Sequence, residues 1–212
     1  MVVDFIQTKS CFNENTYEYI HNNNVIYTAY FDRRLKEGLT FILQRNGQDI
    51  ITLSGKNVKL FHNLFKSEIN SKNNLYHVYD INEQNIGEIY GSYEKTESFY
   101  YKCKVFNFKN IVYKCYRVCL GKKGDFVCIY EGGNQIALID KEIVVHNNND
   151  KYKLYILDEK YLFVTAIFAL YYDCITHGNY GNNAYNSKKT SIFVTTGKKL
   201  KEKYDPQFKD LC

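Results

Sequence analysis

Residues 161–174, YLFVTAIFALYYDC, restrict the fold of this chain more than any other segment. Leu162, Phe163, Val164, Ala166, Ile167, Phe168, Ala169 and Leu170 would place apolar side chains on every side of a helix. A helix that is apolar all round must be enclosed, by protein or by lipid. Crossing a bilayer takes ~20 apolar residues, and this run is shorter and carries Asp173 near its end. Enclosure by protein is therefore expected. Because a long series of short strand-like runs precedes the helix, the expected architecture is a sheet wrapped around it.

Those runs are rich in Tyr, Phe, Ile and Val, and turn residues separate them, as in a sandwich or barrel. Strands are predicted at 2–8, 16–21, 25–31, 39–44, 49–54, 75–80, 86–92, 98–108, 110–120, 126–131, 135–140 and 151–157. In the third, Val25, Tyr27, Ala29 and Phe31 share one face by the two-residue period of a strand. Asn46 followed by Gly47 is the strongest hairpin signal, because a type I′ turn needs positive φ at both central residues. Residues 56–74 interrupt the rhythm with a short helix or half-buried loop. Asp158 is placed to cap the helix and Gly178 to end it. Beyond it, residues 191–196, SIFVTT, look like one more short strand.

A hydrophobic fraction of 45% and an aromatic fraction of 17% exclude a disordered chain. At 212 residues the chain suits one well-cored domain. The first residues lack a basic start followed by an apolar stretch, so a cytoplasmic location is expected. The seven cysteines, odd in number and irregularly spaced, then read as reduced thiols.

No catalytic motif stands out. The chain has no phosphate-binding glycine loop and no nucleophile elbow. Its histidines, His21, His62, His77, His146 and His177, are scattered. Cys115 and Cys119 share a strand face but would lie ~13 Å apart along it, unlike the close pairs of zinc knuckles. Residues 121–124, GKKG, join two strands and read as an ordinary turn rather than a nucleic-acid clamp. The expectation is a protein that is not an enzyme, with no cofactor, no bound metal and no nucleic-acid partner.

The hairpins at 76–91 (YHVYDINEQNIGEIYG) and 125–142 (DFVCIYEGGNQIALIDKE), with the helix near 161–175, resemble the tubby C-terminal-like superfamily. That group takes in tubby domains, LURP-one-related proteins, phospholipid scramblases and bacterial tubby-like proteins. The resemblance covers roughly residues 1–177 and implies a mainly β fold, a twelve-stranded closed β-barrel around a central hydrophobic helix. It leaves residues 178–212 as an extension packed on the barrel or on a neighbouring subunit.

Tubby domains bind phosphoinositides through basic side chains, so the resemblance also implies a non-catalytic binding module for anionic phospholipid, peripheral to the membrane. A net charge of +5 is compatible with that. Charge alone nominates Arg33, Arg34 and Lys36 in one loop and Lys122 and Lys123 in another. The tail adds Lys198, Lys199, Lys201 and Lys203. Lysines and arginines near an anionic leaflet contribute about 1 kcal/mol each. The alternative is a protein–protein interaction or structural domain that self-associates through its tail.

Overall fold

A computed structural model of the chain describes residues 1–10, 14–32, 39–55, 75–95, 100–147, 149–177, 188–190 and 196–212. The first half is a meander of β1 (Val2–Ser10), β2 (Glu14–His21), β3 (Asn24–Asp32), β4 (Leu39–Arg45), β5 (Gln48–Gly55) and β6 (Tyr76–Asp80). It continues through β7 (Asn85–Lys95), β8 (Tyr100–Phe108), β9 (Ile111–Cys119), β10 (Asp125–Glu131) and β11 (Asn134–Lys141). The short β12 (Val144–His146) precedes β13 (Lys151–Ile156). Every strand except β12 belongs to one closed antiparallel barrel of twelve strands, sealed where β1 pairs with β13. All twelve predicted strands are present, with ends shifted by a few residues. The unpredicted β12 pairs with β14 (Lys188–Thr190) in a separate small sheet. Residues 56–74, Gly178 and most of the predicted strand at 191–196 lie outside the described residues.

Alternation along each strand puts the apolar set inside. Val3 and Phe5, Tyr17 and Tyr19, Phe41 and Leu43, and Ile51 and Leu53 are all buried on successive strands. The third strand departs from the prediction at one point. Tyr27, Ala29 and Phe31 are buried, but Val25 is 50% exposed. Tyr19 faces Tyr27 while the next residue, Ile20, faces Val25, so Ile26 is the extra residue of a β-bulge. A bulge re-aims the side chains beyond it, and Ile26 packs against the core in place of Val25. At the predicted hairpin, Asn46 and Gly47 have φ of 53° and 76°, as a type I′ turn demands.

The hydrophobic segment forms α1 (Leu162–Tyr172) inside the barrel, with every residue from Val164 to Tyr172 buried. Phe168 meets Phe106 of the wall and Tyr171 meets Tyr76. The Tyr19 hydroxyl donates to the Ala166 carbonyl at 2.8 Å, tying the helix backbone to the sheet. Enclosure by protein is what the fold shows. Asp158 caps one turn earlier than predicted: it accepts from the Lys160 amide and opens a 3₁₀ turn, Glu159–Tyr161, ahead of α1. After Tyr172 the helix widens into a π turn, Asp173–His177.

The described part of the tail lies on the barrel itself. α2 (Lys198–Lys201) and the following 3₁₀ turn, Pro206–Leu211, cover an outer apolar patch. Phe208 is buried there with Val118, Phe126, Cys128 and Leu138. The Tyr130 hydroxyl donates to the Lys203 carbonyl at 2.9 Å, and Lys209 pairs with Asp140.

Candidate functional site

The two barrel ends differ in kind. At one, tight turns at Asn22–Asn23, Asn46–Gly47, Lys109–Asn110 and Gly132–Gly133 carry positive φ and join strands directly. At the other, the loop end, the strands are joined by longer described connections such as 120–124 and the stretch from β11 to β13 that carries β12. α1 runs from the turn end to the loop end, so its last residues arrive among inward positions that no longer face pure hydrocarbon.

There a buried polar layer closes the barrel. Asp173 is fully buried and accepts hydrogen bonds from Tyr17, at 2.8 Å, and from Tyr152. Tyr17 in turn receives the Asn15 amide at 3.3 Å. Burial, reinforced by the nearby Asp150 charge, pushes the Asp173 carboxyl up to about 6, against the opposing pull of the two phenols. Asp150 is itself paired with buried Lys141 and exchanges backbone and side-chain bonds with Gln7.

A second cluster centres on Asp125, which is 1% exposed. Arg117 grips both of its oxygens, at 2.7–3.1 Å. Tyr172 donates to it at 2.8 Å, His177 lies at 3.0 Å, and the Cys119 thiol donates at 3.2 Å. Burial alone would raise the Asp125 carboxyl, but the bonds from His177 and Arg117 win and hold it well below the usual carboxylate range. Charge-assisted bonds of this kind are the strong ones.

Beside this cluster, β8, β9, β10 and the end of α1 line a half-open pocket of about 210 Å³. Val127, Phe168 and Tyr171 give it apolar walls, and Lys102, Lys104 and Arg117 line it with positive charge. The Lys104 ammonium sits 5.7 Å from the centre of the Tyr171 ring. Desolvation lowers the Lys104 pKa, and the neighbouring Lys102 charge lowers it further. Among the described residues no group of three or more His, Cys, Asp or Glu is arranged to hold a metal ion.

Of the residues nominated by charge, Lys122 and Lys123 are exposed on a 3₁₀ turn, Gly121–Lys123, at the loop end. Arg33, Arg34 and Lys36 lie outside the described residues. In the tail, Lys203 rests over the rings of Tyr116 and Tyr130, at 4.7 and 5.6 Å. Charge clustering in loops missed Lys102, Lys104 and Arg117 because they sit within strands. Their signal was the alternation itself, which puts Lys102 and Lys104 on the face of Phe106 and Phe108.

These features define a closed antiparallel barrel plugged by its own helix, with a polar, cation-bearing end. No family model, curated protein or solved structure matches the chain. Among the described residues no helix is long and apolar enough to cross a membrane.

Proposed function

We propose that this chain is a non-catalytic binding module that contacts anionic phospholipid at a membrane surface through the loop end of its barrel. The observation that carries this is the placing of Lys102, Lys122 and Lys123, all exposed at that one end. None of them forms an ion pair among the described residues. At about 1 kcal/mol per basic side chain, the three supply about 3 kcal/mol of attraction, enough for reversible attachment. Arg33, Arg34 and Lys36, nominated by charge, belong to the same proposal. The resemblance to the tubby C-terminal-like superfamily supports the same reading. So does the polar layer, whose acids are already satisfied by Arg117, Lys141 and phenols rather than poised for chemistry. Self-association through the tail draws less support, because the tail already buries Phe208 against its own barrel.

Co-sedimentation with phosphatidylserine-rich and with neutral vesicles tests the proposal. Uptake should be confined to the anionic vesicles and fall as salt shortens the screening length. The double variant Lys122→Glu, Lys123→Glu should weaken it. Absence of uptake onto anionic vesicles at low salt overturns the reading.

A further inference from the structure

The pocket beside the end of α1 has two properties that a merely imperfect core would not combine. It is lined by more positive than negative charge. Arg117 is committed to Asp125, but Lys102 and Lys104 have no carboxylate partner among the described residues. Its walls are apolar and aromatic, from Val127, Phe168 and Tyr171. A partly buried cation is stabilised by an anion far more than by a neutral group.

We propose that this cavity is a binding site for a small organic anion with an apolar arm. The carboxylate or phosphate head lies between Lys102 and Lys104, while the arm packs toward Phe168 and Val127. Size limits the ligand. At ~30 Å³ for each water-sized group, a cavity of about 210 Å³ takes roughly seven such groups. It is therefore filled by a short-chain acid or by the head and first carbons of an anionic lipid, not by a whole phospholipid. The site goes beyond the surface attachment proposed above: it shares Lys102 with that attachment but adds Lys104 and the apolar walls, which the attachment does not use.

Calorimetric titration of the full chain with hexanoate, hexanol and acetate decides the matter. Hexanoate should bind, with hexanol, lacking the charge, and acetate, lacking the arm, each about tenfold weaker or more. Lys104→Met keeps the apolar stem and removes the charge, and should cost hexanoate at least tenfold in affinity. Equal affinity for hexanoate and hexanol overturns the site. So does hexanoate binding indifferent to Lys104→Met, or no hexanoate binding to the native chain. Vesicle co-sedimentation of Lys104→Met separates the two proposals: uptake persists if Lys122 and Lys123 carry surface attachment, while its loss together with hexanoate binding places both on this cavity. Hexanoate binding without vesicle uptake sustains the cavity and removes the membrane reading.

Discussion

Replacing Asp173 with asparagine removes the carboxyl that the fold holds in its least hospitable place. In the folded chain this group titrates at about 6, against an ordinary value of 3.8. Between those values the folded state keeps a proton that the unfolded state has released. The Asp173 contribution to stability therefore falls as pH rises through the window from about 4 to about 6, and is level on either side. At 1.36 kcal/mol per pKa unit, the interval amounts to about 3 kcal/mol. The groups that face Asp173 are Tyr17 from β2, Tyr152 from β13, Asp150 from the connection before β13, and Cys174 and His177 from its own turn. Asparagine can keep both phenol contacts, accepting from one and donating to the other. Its fixed offset in stability does not matter, because the comparison uses only the change with pH. Urea unfolding of both proteins at pH 4 and pH 7 should show native stability, relative to Asp173→Asn, dropping by about 3 kcal/mol between them. A difference that is the same at both pH values refutes the reasoning.

Asp125 should behave in the opposite sense. Its carboxyl is held below the ordinary range, so its contribution is present above about pH 4 and is lost as pH falls further. Asp125→Asn should cost about 1.5–3 kcal/mol at pH 7, the worth of bonds to a charged group, and should blunt acid unfolding followed by circular dichroism. Phe168→Ala opens the core between helix and wall and should cost about 3–5 kcal/mol in urea titration. Gly55 lies under the ring of Tyr76, where an added Cβ would fall 2.2 Å from the nearest ring atom. Gly55→Ala should therefore lower stability by about 1–3 kcal/mol, and Gly55→Ala with Tyr76→Leu should recover part of it. Phe208→Ala should loosen the tail, read as faster amide exchange at Thr196 and Leu200, with little change in α1.

The strands, the Asn46–Gly47 hairpin and the enclosed helix were legible because each leaves a local periodic signal. Val25 was misplaced because a bulge is a property of two strands in register, and Ile26 becomes the extra residue only once Tyr19 has met Tyr27. Asp173 and His177 were visible as residues, but their partners sit on other strands: Tyr17 is 156 positions from Asp173, Tyr152 is 21, and Asp125 is 52 from His177. Lys102 and Lys104 carry no local signal of a site, because inward positions near the end of a barrel meet a helix terminus and a pocket only once the sheet has closed. Loop lysines such as Lys122 were found by charge alone, which says nothing of which end they share.

The seam between β1 and β13 has a consequence for how the molecule is made. The Met1 ammonium donates to the Ile156 carbonyl at 2.7 Å, a bond that spans 155 positions. During synthesis β1 therefore keeps an unpaired edge until β13 has left the ribosome. The plug arrives later still, so the growing meander has neither closure nor filling and offers both edges to its neighbours. Elongation and folding are thus separated in time for this protein, and products that stop short of β13 should aggregate rather than fold.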